Sequence, residues 1–347
     1  MQIIDNPWRG AGVALPDVPA PSTDAAAVAT LLARCPMHAA TPLVESPQLA
    51  ARAGVARLWV KDERGRMGLG SFKALGAAYV VAHDAVATGA ADLATALVGR
   101  TYVTASAGNH GLSVAAGARV FGARAVIYLA QTVPQAFAER LEAKGAEVVR
   151  AGADYEASMT AAARAADANG WTLLSDSSWP GYVERPHRLM EGYLQCVAEA
   201  LEACTPTHVF VQAGVGGLAA AVAALVRARL GDGPSITIVE PQAAPALFES
   251  LAAGRFVTTQ GPVSSMGRLD CKEASLIALK GLSRDADRAM LITEDEAARV
   301  LPLMEAAGLD GSESGCAGVA GLMALAGAGE SPGPEARVLC FLTEGRA

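Results

Sequence analysis

Lysine is rare in this chain, and one lysine lies where a primary amine could do chemistry. Only five of the 28 basic residues are lysines. Lys73 follows Gly68-Leu-Gly-Ser-Phe72 at the predicted start of a helix, where its charge opposes the helix dipole. The dipole and the apolar neighbours Phe72, Ala74 and Leu75 are expected to lower the pKa of the amine, which favours imine formation with a carbonyl group. The alternative is a solvated surface lysine.

A second candidate is a glycine-rich turn between a strand and a helix. Val209-Phe-Val-Gln leads into Ala213-Gly-Val-Gly-Gly217, and an alanine-rich segment follows. Glycines at such a junction let backbone N–H groups surround an anion at a helix N-terminus, so the turn predicts phosphate binding. An ordinary tight turn is one alternative. A dinucleotide site is another, because the turn matches part of that fingerprint and the acidic Glu240 lies about 20 residues further on.

The third candidate is Thr104-Ala-Ser-Ala-Gly-Asn-His-Gly111, where a strand again runs into a helix. Small residues allow a flat ligand to approach the backbone closely, and Asn109 can donate to an oxygen on a ring. A capped turn would explain the same residues. His110 is as compatible with packing as with catalysis.

Together, Ser-Phe-Lys, Ser-Ala-Gly-Asn-His-Gly and a downstream glycine turn, in this order, resemble the fold-type II pyridoxal-phosphate (PLP) enzymes. That family includes threonine and serine dehydratases, cysteine synthase, the tryptophan synthase β subunit and diaminopropionate ammonia-lyase. The ammonia-lyase version is the most similar. The segments that carry this likeness are 61–76, Ser175-Asp-Ser-Ser-Trp-Pro-Gly-Tyr182, Glu240-Pro241, Glu313-Ser-Gly315 and Thr343-Glu-Gly345.

The resemblance implies a role for individual residues. Lys73 would hold PLP covalently, and Asp176 would act as the general base or acid. Thr343 would face the pyridine nitrogen; a neutral hydroxyl there makes the ring a weaker electron sink than a carboxylate would, which favours loss of a β-substituent. The other cofactor-binding residues would be Phe72, Asn109, Gly214, Val215, Gly216, Gly217 and Leu218. The substrate-binding residues would be Ser106, Ala107, Gly108, His110 and Arg268.

The implied activity is α,β-elimination from a small 2-amino acid, with release of ammonia and a 2-oxo acid. Two departures leave the substrate open. Ala107 stands where the ammonia-lyases carry an aspartate, and Arg268 and Lys272 stand at glycine positions, where they could bind an additional carboxylate. The alternatives are a serine, threonine or 3-hydroxyaspartate dehydratase and, in a different class, a non-catalytic protein that binds PLP or an amino acid. A nucleotide-dependent oxidoreductase is a further alternative.

Composition restricts the remaining possibilities. Hydrophobic residues make up 52% and charged residues 18% of the chain, so a large core is expected and disorder is excluded. The net charge of −7 and the lack of basic runs argue against nucleic-acid or membrane partners. Neither the six scattered cysteines nor the five histidines have metal-ligand spacing. With no export signal recognised, we expect a cytoplasmic enzyme, and by resemblance a homodimer.

The elements that must position these residues alternate between strand and helix. Short β-branched runs such as 125–129, 208–212 and 337–342 are separated by helical stretches such as 155–168 and 218–230. This alternation predicts an α/β fold with mostly parallel sheets flanked by helices, and the resemblance implies two domains. We expect a discontinuous large PLP-binding domain over 1–100 and 179–347 and a small domain over 101–178. Residues 1–55 are predicted to be an arm with one short helix.

Overall fold

Eleven strands form two sheets in the computed structural model, which describes residues 1–346. The large sheet has seven strands in the order β1-β10-β9-β8-β11-β3-β2, and the small sheet has four in the order β6-β5-β4-β7. Only the edge strands β1 and β2 pair antiparallel. The predicted α/β fold with mostly parallel sheets is therefore confirmed. The strands are β1 (Gln2–Asp5), β2 (Leu43–Glu45), β3 (Arg57–Asp62), β4 (Thr101–Ala105), β5 (Arg124–Leu129), β6 (Glu147–Arg150), β7 (Thr172–Leu173), β8 (His208–Gln212), β9 (Ser235–Pro241), β10 (Arg288–Ile292) and β11 (Arg337–Leu342).

Helices cover both sheets, as parallel strands require. Several begin at a side chain that caps the first turn; Asp154, for example, accepts the N–H of Ala157 at 2.9 Å. The helices are α1 (Ala25–Leu32), α2 (Pro47–Ala53), α3 (Ala74–Ala87), α4 (Asn109–Val120), α5 (Gln135–Glu142), α6 (Tyr155–Asn169), α7 (Glu184–Ala203), α8 (Gly217–Leu230), α9 (Ala246–Ala253), α10 (Leu276–Asp285), α11 (Glu294–Ala306) and α12 (Glu313–Gly327).

The prediction for residues 1–55 is only partly right. The short helix is present as α1, but β1, β2 and α2 were missed. β1 and β2 have three to four residues each and lie at the two edges of the large sheet. Edge strands are half exposed and short, so they lack the continuous apolar run that identifies the central strands.

Two glycines allow α3 and α7 to pack in close contact. A Cβ atom on Gly192 would lie 2.0 Å from the carbonyl oxygen of Leu75, and one on Gly76 would lie 2.8 Å from the ring of Tyr193. Any larger residue would therefore push the two helices apart. This contact fixes the first turn of α3, which follows Lys73.

A buried ionic network holds the chain just before that turn. Lys61 Nζ donates to Glu199 at 2.6 Å, and the fully buried Arg66 donates to Glu63 at 2.8 Å and to Glu199 at 2.7 Å. The two cations and two carboxylates balance, and Thr41 supplies further oxygen acceptors. The network connects β3 and the following loop, which precede Lys73 in sequence, with α7, which follows it.

Within residues 1–346, no helix has the length and apolar composition needed to cross a membrane.

Candidate active site

The loop that carries Lys73 is fastened to the loop that follows β11. The N–H of Phe72 donates to the carbonyl of Thr343 at 3.1 Å, and Ser71 forms an isolated antiparallel bridge with Glu344. Because β11 lies beside β3 in the large sheet, the carboxyl ends of these two strands bring residues 71–73 and 343–345 together. Lys73 and Thr343, distant in sequence, are thus neighbours.

Lys73 forms an ion pair with Asp176. Its Nζ donates to Asp176 Oδ2 at 2.6 Å, and about a fifth of each side chain is exposed. Burial opposes the charge on both groups, but their mutual attraction prevails: the pKa of Lys73 lies well above its usual range and that of Asp176 well below. The predicted lowering of the Lys73 pKa is therefore wrong for this state, because that prediction considered only the helix dipole and the apolar neighbours in sequence and not the charge of Asp176.

Two aromatic rings lie beside the amine. The rings of Phe72 and Tyr193 are 4.9 Å apart between centroids, and Lys73 Nζ lies 5.2 Å and 5.8 Å from them. The Tyr193 hydroxyl is buried and has no hydrogen-bond partner among the described residues, and burial raises its pKa. This hydroxyl is therefore a candidate to form a hydrogen bond with a bound ligand.

The turn before α4 forms a second wall of the cleft. Ser106 Oγ accepts the N–H of Gly108 at 3.2 Å, and a Cβ on Gly111 would lie 2.5 Å from the Ser106 carbonyl. Among the described residues no side chain caps α4, so its first N–H groups have no side-chain acceptor there. His110 is buried with Nε2 2.8 Å from the Leu174 carbonyl, and desolvation lowers its pKa. Ala107 packs against the apolar core.

Glu344 connects this turn with the segment that contains Arg268. One of its oxygens accepts the Asn109 amide and lies 3.7 Å from Arg268 Nε, and the other accepts the Ser312 hydroxyl at 2.5 Å. A Cβ on Gly108 would lie 3.5 Å from Arg268 Nε. Arg268 therefore reaches the 106–110 turn, and its role in substrate binding stays a prediction.

Lys272 does not reach the cleft. Its Nζ donates to Asp270 at 2.6 Å and to the carbonyls of Ala243 and Pro262 at 2.7 and 2.9 Å. These three acceptors occupy all the protons of the ammonium group. The suggestion that Lys272 could bind a substrate carboxylate is therefore wrong.

The glycine turn after β8 lies against the Arg268 segment and Tyr193. A Cβ on Gly214 would lie 3.1 Å from both the Arg268 carbonyl and Cys271 Sγ, and one on Gly217 would lie 3.5 Å from the Tyr193 ring. Gly216 has φ +93°, a conformation that favours glycine, and no side chain caps α8. The carbonyl of Val215 accepts the Ser275 N–H at 2.9 Å, and Leu218 is buried.

The dinucleotide interpretation of this turn fails on Glu240. That carboxylate is buried and accepts the N–H groups of Leu247 and Phe248 at 2.9 and 2.7 Å, at the start of α9. It is committed to a helix N-terminus and cannot bind a ribose hydroxyl.

Sequence reasoning assigned no site role to Tyr193, Glu344, Gln212 or Cys271. Gln212 Nε2 lies 3.1 Å from Thr343 Oγ1, and its Oε1 has no partner within residues 1–346. Burial raises the pKa of Cys271 to about 12. Glu344 and Gln212 adjoin predicted motifs, and this position in the sequence could have identified them. Tyr193 lies within a long helix, and no sequence signal marks it as a site residue.

Comparison with known proteins agrees with this geometry. Residues 35–344 match the family model described as pyridoxal-phosphate dependent enzyme. The chain belongs to that family. Diaminopropionate ammonia-lyase of Salmonella typhimurium is 32% identical over 71% of this chain and 66% of its own length; that of Escherichia coli is 34% identical over 67% and 63%. The alignments thus span just under two thirds of these curated relatives.

Solved structures of the family extend the match. A crystal structure of the Escherichia coli ammonia-lyase, in complex with an aminoacrylate-PLP azomethine reaction intermediate, superimposes with a TM-score of 0.86 at 29% identity. The match covers 99% of this chain and 93% of that one. The cofactor of the family is PLP.

The cleft fits PLP. The cofactor carries a phosphate, an aldehyde, a ring hydroxyl and a pyridine nitrogen. The uncapped N-terminus of α8 suits the phosphate, and the amine of Lys73 suits the aldehyde. Among the described residues, the buried hydroxyl oxygens of Tyr193 and Ser71 have no hydrogen-bond partner, and such atoms are expected at a site that binds a polar ligand.

Proposed function

We propose that this protein is a PLP-dependent lyase that removes a β-substituent from a small 2-amino acid and releases ammonia and a 2-oxo acid. The observation that carries the proposal is the contact between Lys73 and Asp176 at 2.6 Å, beside two uncapped helix N-termini. An amino acid bound at the 106–110 turn would then meet both an amine and an ionised carboxylate. Relatives of this chain include proteins named diaminopropionate ammonia-lyase, at 32–34% identity, and proteins named D-serine or threonine dehydratase, at 28–30% identity.

The cofactor would be held by the residues inferred from the sequence. Lys73 would bind it covalently, Gly214, Val215, Gly216, Gly217 and Leu218 would surround its phosphate, and Asn109 would face the ring oxygen. Phe72 and Tyr193 would enclose it, and Thr343 would face the ring nitrogen. Bound PLP withdraws electrons from the α-carbon of an amino acid, so that the α-proton and the β-substituent become labile.

The chain's own groups would then move the protons. Lys73 and Asp176 would be the groups that transfer protons, because they are in contact with each other, whereas Nε2 of His110 is held at the Leu174 carbonyl. Asp176 is ionised and so begins as a proton acceptor. It would take the proton from the α-carbon, directly or through Lys73, and return one to the departing group. The N–H groups at the start of α4 and Ser106 would orient the substrate carboxylate.

We also propose that residues 101–178 form the small domain and that 1–100 with 179–347 form the large one. The four-stranded sheet lies entirely within the first range. The contact of Glu344 with Asn109 crosses between the two, as does the approach of Arg268 to Gly108, so substrate binding at this point would couple to their relative position. The protein is expected to be a homodimer in the cytoplasm.

The decisive experiment is an absorbance spectrum of the holoenzyme before and after addition of 2,3-diaminopropionate, serine, threonine or 3-hydroxyaspartate, combined with assays of 2-oxo acid and ammonia. A diamino substrate releases two ammonia molecules for each 2-oxo acid, whereas a hydroxy substrate releases one, so the ratio distinguishes an ammonia-lyase from a dehydratase. Lys73→Ala should abolish the visible band and turnover together. A visible band with no 2-oxo acid from any of the four would indicate a non-catalytic binding protein and contradict the proposal.

A further inference from the structure

The guanidinium group of Arg268 has unused donors at the edge of the cleft. Its backbone N–H donates to Ser314 Oγ at 3.1 Å, and its carbonyl lies 3.1 Å from the Cβ position of Gly214, so the residue is anchored at the glycine turn. The side chain then extends to Gly108. Within residues 1–346 the only charged partner of the guanidinium is Glu344, at 3.7 Å from Nε. Neither Nη atom has a hydrogen-bond partner there, and the side chain is 35% exposed.

The neighbouring charges leave this cation available. Glu344 already accepts Asn109 and Ser312, and at 3.7 Å it orients Arg268 without forming a hydrogen bond to it. Lys73 and Asp176 neutralise each other. A ligand that approaches the 106–110 turn therefore meets a guanidinium end with free N–H groups, and carboxylates pair with such an end in a bidentate manner.

Ala107 adds no charge to the same corner, and its side chain packs against the apolar core. It contributes a methyl group at the turn, so no carboxylate of that residue repels a negatively charged substituent. A β-ammonium group, by contrast, would meet the positive charge of Arg268.

We propose that Arg268 is a specificity residue that binds a second carboxylate, so that the preferred substrates are 2-amino dicarboxylic acids with a β-leaving group, such as 3-hydroxyaspartate. The inference rests on the proposed function and narrows its substrate class. In the reaction, the α C–H and β C–O bonds break, the hydroxyl leaves as water with one proton, and a carbon–carbon double bond forms. Hydrolysis of the released enamine consumes one water and yields oxaloacetate and ammonia, with no net oxidation.

Binding of unreactive amino acids tests the inference without turnover. Aspartate and alanine have no β-leaving group, so their dissociation constants for the holoenzyme can be measured by calorimetry. We expect aspartate to bind about 10- to 100-fold more tightly than alanine, the range of a charge-assisted hydrogen bond. Arg268→Met should abolish this preference by weakening aspartate binding more than alanine binding, and Arg268→Lys should restore part of it. Arg255→Met, which removes an exposed cation preceding the same segment, is the matched control.

The same variants separate the possible outcomes in turnover. Arg268→Met should lower kcat/KM for 3-hydroxyaspartate about 10- to 100-fold more than it lowers kcat/KM for serine. Equal binding of aspartate and alanine to the wild type would overturn the inference. Equal loss of both ligands in Arg268→Met would also overturn it, because the arginine would then bind the α-carboxylate. If no amino acid binds or reacts, the proposed function itself fails; if serine or diaminopropionate alone reacts, only the inference fails.

Discussion

Replacement of Asp176 by asparagine should change cofactor attachment and turnover in opposite directions. Asparagine keeps the shape of the side chain and can still accept a hydrogen bond from Lys73, but it removes the negative charge 2.6 Å from Nζ. Covalent attachment of PLP requires a neutral amine. Because Asp176 holds the Lys73 pKa above its usual range, the wild-type amine is charged at neutral pH and the variant should have more of the reactive form.

The size of the effect follows from the geometry. Two unit charges 2.6 Å apart attract by about 6 kcal/mol at an effective dielectric constant of about 20. Because about a fifth of each side chain is exposed, we take about half of this attraction, or about 3 kcal/mol, which corresponds to a factor of about 100 in the protonation equilibrium of Lys73. The neutral fraction of Lys73 should therefore rise about 100-fold at a pH below both pKa values. Turnover should fall about 10²- to 10⁴-fold, as is usual when a general acid or base is lost.

The assay follows the growth of the visible absorption band after PLP is mixed with the unliganded protein, and then 2-oxo acid release by the reconstituted enzyme. Ser177→Ala serves as the control, because it changes the adjacent residue and keeps the negative charge of Asp176. Unchanged or slower attachment in Asp176→Asn would refute the view that the carboxylate controls the amine. Unchanged turnover would remove Asp176 from proton transfer.

Three further variants test features of the same region. Gly216 has φ +93°, and a Cβ there would lie 2.8 Å from Leu247, so Gly216→Ala should lose about 1–3 kcal/mol of stability and bind PLP more weakly. The control Gly231→Ala, whose Cβ would contact nothing within 4 Å, should lose less stability, and equal losses in thermal melts would contradict the packing argument. Tyr193→Phe should stabilise the unliganded protein by about 1 kcal/mol but reduce the rise in Tm that PLP produces, because the buried hydroxyl lacks a partner until a ligand binds; a lower Tm without PLP would refute this. Burial raises the pKa of Glu240 from 4.5 to about 8, so between these pH values the folded state retains a proton that the unfolded chain releases. In denaturant titrations the free energy of unfolding of the wild type should therefore fall with rising pH by up to about 1.4 kcal/mol per pH unit relative to Glu240→Gln, and parallel pH profiles of the two proteins would contradict this prediction.

The sequence was most informative where elements are buried on both sides. β8 and β11 were predicted within their observed bounds, because continuous β-branched runs identify central parallel strands. β1 and β10 were missed. β1 lies at an edge, and the apolar run of β10 (Arg288–Ile292) could not be distinguished from a helical segment by periodicity.

The candidate site divides in the same way. Lys73 and Gly216 could be chosen from the sequence because each is unusual for its local position. The neighbour of Lys73 could not be chosen in this way, since the 2.6 Å contact with Asp176 joins residues 103 positions apart. The direction of the Lys73 pKa was therefore mispredicted from local surroundings alone. Glu344 shows the same limit: its bonds to Asn109 and Ser312 exist only because the sheet order brings three loops to one edge.

The position of β11 in the large sheet has a consequence for synthesis of the protein. β11 (Arg337–Leu342) pairs with β3 on one side and with β8 on the other, so the central part of the sheet cannot close until this late segment has left the ribosome. The small sheet spans only 101–173 and can assemble long before then. A nascent chain that stalls before residue 337 would expose two unpaired strand edges, β3 and β8, each rich in apolar residues. The nascent chain should therefore need chaperones most in the interval before β11 emerges, and slow codons in that interval would increase aggregation.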